Sequence, residues 1–165
     1  MLPQSAMPPW LLLPELFPHL RGLQVDGVEG TAKAVVIFAR SRSPGASCPW
    51  CGAWSARVHS RYARRLADGA AGGRPVVICL TVRRLMCGNP GCAAVTFAEQ
   101  VDGLSGRYLR RSLPLLEMLA GIGLELAGRA GSRLAGLLGI TVHPVTLLRL
   151  TGAVLLFAGV LLITR

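Results

Sequence analysis

The chain has 165 residues and a formal net charge of +10, with 18 basic residues against eight acidic ones. That length excludes a large multidomain assembly and holds one domain or two small ones; a small β unit within it would need a staple beyond its own core. Seventeen of the basic residues are arginine, and residues 40–111 carry 12 of them against Asp68, Glu99 and Asp102. Such a localised charge reads as one basic module rather than general solubilisation. The guanidinium fork suits phosphate, to which it donates two parallel hydrogen bonds. The competing reading is a solvated basic face with no partner.

In chain order, "MLPQSAMPPWLLLPELFPHL" has no positive leading region, and Pro14 interrupts its apolar run. It is therefore not read as a signal peptide. The expected setting is cytoplasmic and reducing, where metal binding outranks disulfides for the five cysteines. Residues 1–21 form a lead-in segment, and a β domain is expected over 22–104. Its elements are a strand "AKAVVIFAR", a loop "SRSPGAS" at 41–47, and a strand "ARVHSRYARRL" with polar groups on both faces. A turn or loop "GAAGGR" at 69–74 follows, then "PVVICLTVRRLMC" at 75–87, the stretch richest in β-branched residues, and "AAVTFAEQ" at 93–100. Near residue 105 apolar residues begin to recur at helical spacing. Leu113, Leu116, Leu119, Ile122 and Leu126 share a face, and Pro114 places a helix start at Ser112 or Leu113. The run "GAVLLFAGVLLI" at 152–163 is 12 residues long, short of the roughly 18 or more that a membrane span needs. A buried helix is the preferred reading of this tail over 151–165, with a membrane-associated tail as the alternative.

The cysteines fall into two turn-forming pairs. Cys48 and Cys51 bracket Pro49 and Trp50 and are followed by Gly52. Cys87 and Cys92 bracket Asn89, Pro90 and Gly91. Each turn aims two thiolates at one point, and two turns supply the four sulfurs that tetrahedral zinc requires. The stretch between the pairs supplies a β-hairpin, as in zinc ribbons. One structural zinc on Cys48, Cys51, Cys87 and Cys92 is the expectation. The alternatives are a disulfide framework or a thioredoxin-like redox site at Cys48/Cys51, which would have to open a helix after a buried strand. Cys79, within an apolar strand, reads as a buried thiol. His59, close in sequence to Cys51, could replace a sulfur, but four cysteines suffice, and it reads as a surface or DNA-facing residue.

"GSRLAGLLGITVHPVTLLRL" at 131–150 reads as a helix-turn-helix. Gly139 takes the sharp turn, Ala135 the close approach, and Leu134, Leu138, Ile140, Val145 and Leu148 the apolar positions between the helices. Thr141 is placed as N-cap of the second helix, with Pro144 in its first turn. An ordinary helical hairpin is the alternative. If such a motif docks in the major groove, Thr141, His143, Thr146 and Arg149 are the polar candidates for bases, and Arg129 and Arg133 for phosphates. In the β part, Arg57, Arg61, Arg64, Arg65, Arg83 and Arg84 are the candidates for phosphate contact. The expected fold class is α+β: a small zinc-ribbon-like β domain followed by an all-helical helix-turn-helix domain over 105–150.

"CPWCGAWSARVHSRYARRLAD", "VRRLMCGNPGC", "TFAEQ", "RYLRRS", "GRAGSRLAGLLGITV" and "TLLRL", in that order, resemble the N-terminal part of ISL-type insertion-sequence transposases. The similarity covers about residues 12–150. The resemblance implies a zinc finger, then a helix-turn-helix, then a DDE catalytic domain of RNase-H-like fold, and binding to the terminal inverted repeats of a mobile element. It also places the zinc on the same four cysteines. Three carboxylates that hold two metals are needed for DDE chemistry, yet no acidic residue follows Glu125, and the tail from about Thr151 does not resemble the family. The expectation is a DNA-binding fragment, truncated before the catalytic domain and not itself an enzyme. Its partners are double-stranded DNA at element ends and, as an alternative role, a full-length transposase that it regulates or inhibits. A nucleoid-associated location follows from that reading.

Overall fold

The stretch richest in β-branched residues becomes the central strand. The computed structural model describes residues 9–163, with side chains described as far as Ala153. Its elements are α1 (Leu13–Leu16), β1 (Leu23–Gly30), β2 (Val35–Ser41), β3 (Ala46–Ser47), β4 (Trp54–Ser55), β5 (Val58–Ala71), β6 (Arg74–Met86), β7 (Thr96–Ala98), α2 (Leu113–Leu137) and α3 (Pro144–Ile163). The main sheet runs β1-β2-β6-β5, with β7 added beside the far end of β6, and β3-β4 form a separate small ladder. β6 lies parallel to β2, with Ile37 opposite Ile78, and antiparallel to β5 and β7.

Side-chain alternation in β6 explains why it is central. Val76, Ile78, Leu80 and Val82 point to one face and are buried, while Val77, Cys79 and Thr81 between them are half-buried. Against the first face pack Leu20, Leu23, Val25, Ile37, Ala39, Leu66, Val101 and Leu104 to form the main core. β1 was not expected as a strand. Leu23 and Val25 alternate inward, but the register shifts between Val25 and Gly27, so Asp26 breaks the pattern that a sequence reading follows. The hairpin joining β5 and β6 turns on two residues, Gly72 and Gly73, with φ of 57° and 71°. Positive φ at both central positions matches the right-handed strand twist and favours glycine. "GAAGGR" is therefore mostly strand, with the turn confined to its two adjacent glycines.

The expected all-helical helix-turn-helix domain is not formed. Among the described residues only α2 and α3 exceed one short turn, and the cluster they bury is closed by β5. Leu115, Leu119, Ala135, Ile140, Val142 and Leu147 bury one another against Ala67 and Ala70 of β5. The turn at Gly139 (φ 83°) lies on the β5–β6 turn, where a Cβ at 139 would run into the Gly73 carbonyl. The helical pair is a layer on the sheet. Its contact also differs from the expected one. Gly123, Gly128, Gly131 and Ala135 let α3 approach through Leu147, Leu148 and Thr151, while Leu134, Leu138 and Val145 are exposed. α2 is broken at Ala127, whose φ is 56°. The second helix begins at Pro144, so His143 rather than Thr141 stands before it, its Nδ1 accepting from the Val145 N–H at 3.3 Å.

One buried carboxylate ties these layers together. Asp68 on β5 accepts from Ser112 Oγ and lies 2.8 Å from His19 Nε2. Ser112 is the N-cap of α2, accepting in turn from the Leu115 N–H. Asp68 therefore joins the amino-terminal turn, the sheet and α2. Burial alone would raise its pKa, but the hydrogen bonds from His19 and Ser112, with the Gly69 N–H, outweigh that and lower it below the usual carboxylate value.

No helix of the described residues is long and apolar enough to cross a membrane. Residues 1–8 of the lead-in segment and the last two of the apolar tail lie outside the described residues.

Candidate metal centre and basic surface

Two knuckles bring the four cysteines together. In the first, the Gly52 N–H donates to the Cys48 carbonyl at 2.8 Å and the Cys48 N–H to the Ala53 carbonyl at 2.9 Å. Gly52 takes the left-handed conformation this needs, with φ of 73°. β3 leads into this knuckle and β4 out of it. In the second, Asn89 receives the Cys92 N–H on its carbonyl and the Gly91 N–H on its side chain. β6 delivers Cys87, and the Cys87 N–H donates to the Val95 carbonyl at 2.9 Å. Cys48, Leu85 and Phe97 form a small buried cluster beneath the two knuckles.

Cys51 Sγ stands 3.5 Å from Cys87 Sγ, and Cys48 Sγ stands 4.0 Å from Cys92 Sγ. All four sulfurs lie within 4.8 Å of one another. Four sulfurs bound at about 2.3 Å to one tetrahedral ion stand about 3.8 Å apart, so the donor set fits one zinc. The same distances exceed a disulfide bond of about 2.05 Å, and the five cysteines are free thiols. The first knuckle lies between two strands and opens no helix, which removes the basis for a thioredoxin-like site. Protonation follows the crowding. Cys51 is lowered to about 7, chiefly by the Ala53 N–H, against burial and with the neighbouring thiols helping. The Asn89 N–H favours a thiolate at Cys87, but burial and the three thiols around it outweigh this and push it up to about 12. Cys92 is raised as well: burial and the Cys51 thiol overcome the pull of the Ala94 N–H. Four sulfurs this close cannot all ionise without a cation among them, and the cation's charge is what zinc would supply.

The other candidates separate by what their side chains already hold. Arg83 is 16% exposed in its side chain and clamps Glu99 at 2.6 Å, with further bonds to the Ser43 and Pro44 carbonyls. Arg64 donates to the Gly106 and Leu109 carbonyls and anchors that segment. Arg57, Arg61, Arg65 and Arg84 are exposed and make no ion pair among the described residues. Arg61 and Arg65 lie on the edge strand β5, opposite Arg83 and Cys79, while Arg57 precedes β5 and Arg84 lies on β6 opposite Ser60. Arg129, Arg133 and Arg149 are exposed on the helical layer. Thr141 and His143 are exposed in the connection between the helices, and Thr146 is half-buried in the first turn of α3. With the helix-turn-helix gone, nothing in their surroundings assigns them a base. His59 is exposed, its Nδ1 3.3 Å from Ser60 Oγ, and is not among the clustered ligands. Cys79 is half-buried opposite Arg65 rather than fully buried. Sequence spacing singles out neither Arg107 nor Arg110, both exposed near the first knuckle, because their position depends on the Arg64 anchor more than 40 residues away.

Four thiolate donors on two knuckles, carried by short β ladders, define a zinc ribbon. Residues 44–94 match the family described as the zinc finger of transposase IS204/IS1001/IS1096/IS1165. The match covers 51 of the 165 residues and contains all four clustered cysteines. No curated protein and no solved structure matches the chain.

Proposed function

We propose that this chain is the DNA-binding part of an insertion-sequence transposase and that it holds the terminal inverted repeats of its element. The observation that carries the reading is a group of exposed arginines in and next to β5 and β6, without ion pairs among the described residues, in a chain that carries a zinc ribbon of transposase type. Arg57, Arg61, Arg65 and Arg84 grip phosphates. Arg129, Arg133 and Arg149 on the helical layer extend the positive surface. Zinc is structural: it fixes the two knuckles, and it takes no part in chemistry on DNA. The chain binds element ends without cutting or joining them.

Arg64 and Arg83 have internal partners, so they shape the surface rather than touch DNA. This division gives the test. Each phosphate contact removed flattens the log–log salt dependence of binding by about 0.9. Titrations of an inverted-repeat end and a scrambled duplex at several salt concentrations should show that change for Arg61→Ala, Arg65→Ala and Arg84→Ala. Arg64→Ala and Arg83→Ala should lower thermal stability instead. An unchanged slope in all three surface variants would overturn the assignment. Equal affinity for both duplexes would remove the inverted-repeat specificity and leave general DNA binding.

A further inference from the structure

A groove of about 1100 Å³ runs between the first knuckle and the segment after β7. Its walls carry Trp50, Tyr62 and Tyr108 together with Arg65, Arg84 and Arg110, and no carboxylate among the described residues lines it. Trp50 is 55% exposed and Tyr108 82%. Neither ring belongs to a core cluster, and together they form an exposed aromatic patch of the kind that marks a binding surface. Tyr108 is also held at φ 62°, an uncommon backbone for an aromatic residue. Arg64 holds that segment in place through the Gly106 and Leu109 carbonyls on either side. Strain retained at an exposed, anchored residue points to a use for its side chain.

The guanidinium of Arg107 shows what kind of group fits there. Its carbon lies 5.1 Å from the Trp50 ring centroid and 4.8 Å from that of Tyr108, and it donates to the Tyr108 hydroxyl at 2.8 Å. A flat cation thus already stacks on two rings at the mouth of an arginine-lined groove. A nucleobase is also flat and stacks on such rings, and the phosphate attached to it would be drawn to Arg65, Arg84 or Arg110. Duplex DNA hides its base faces within its own stack and has no use for an exposed ring. An unpaired nucleotide offers both faces.

We propose that this groove captures unpaired nucleotides at a DNA end, stacking a base on Trp50 and Tyr108 while the arginines hold its phosphates. The inference rests on the DNA-binding reading above and adds a substrate form to it. The test compares three DNAs by fluorescence anisotropy: a blunt duplex, the same duplex with a short unpaired tail, and one whose tail is abasic. The tailed duplex should bind about tenfold more tightly than the blunt one, as expected for one or two stacked bases. The abasic tail should recover little of that gain. Trp50→Ala should abolish the gain while leaving blunt-duplex affinity and zinc content unchanged. Tyr108→Asn should do the same, since asparagine tolerates the left-handed backbone. A gain that survives both substitutions, or that the abasic tail reproduces, overturns the proposal. Blunt-duplex binding with no gain from the tail defeats this inference alone. Capture of the tail without any duplex binding defeats the duplex reading instead.

Discussion

Replacing Cys87 by serine should strip the protein of zinc and loosen the knuckle end of the sheet. The fall should be from about one zinc per chain to almost none, because a structural site closes with four ligands. Structural zinc contributes on the order of 10 kcal/mol in small metal-folded units, and the segment under the knuckles has little else. Its buried cluster is Cys48, Leu85 and Phe97, and two of its supporting residues, Cys87 and Cys92, are themselves ligands. The main core shares none of these side chains. Amide exchange should therefore accelerate over 46–55 and 86–98, while β2 and the first half of β6 stay protected. Cys79→Ser is the control: Cys79 lies outside the sulfur cluster, and its variant should keep the metal. Equal metal loss in the two variants would count against the ligand assignment.

Asp68→Ala should give the largest loss of stability away from the metal. It leaves His19 and Ser112 without their buried acceptor, and breaking a buried pair of this kind costs about 3–5 kcal/mol. A fall in melting temperature of about 6–20 °C is expected for a chain of this size. Asp68→Asn keeps one acceptor oxygen and should lose less. The pH dependence has a definite sign. The folded carboxyl titrates below its unfolded value, so its contribution is complete above an unfolded pKa of about 3.9. That contribution disappears as pH falls through the folded pKa. The native protein should lose stability across this acid window, and Asp68→Asn should flatten the loss. Thermal unfolding between pH 2 and 7 measures both. An unaltered acid limb in the asparagine variant would show that Asp68 does not carry it.

What could be read beforehand followed the range of the forces concerned. The knuckles were legible because spacing and turn residues are local: Pro49, Gly52, Asn89 and Gly91 announce tight turns around the cysteines. β6 was legible from its β-branched run and the helix start from Ser112 and Pro114. β1 was hidden because Asp26 sits at a register shift, next to Gly27. The helical layer was misjudged for a different reason. Periodicity identifies an apolar helix face but not what covers it, and here small residues on β5, Ala67 and Ala70, do part of the covering. The division among the arginines was equally invisible. The carbonyls that hold Arg64 and Arg83 lie about 40 residues away in sequence, and no local pattern records them.

The two-glycine turn has a consequence for the order in which the protein assembles. Ala71 meets Arg74 across it, then Leu66 meets Ile78, and Val58 meets Leu85 at the far end. Each pairing extends a ladder already begun, so each closes only a small additional loop. Cys51 and Cys87, 36 residues apart, are brought together by a zipper that starts at glycine. On this order the metal is expected late, as a latch on two strands that have already met. Its capture should appear as a separate, zinc-concentration-dependent refolding phase, following a hairpin step that runs without it.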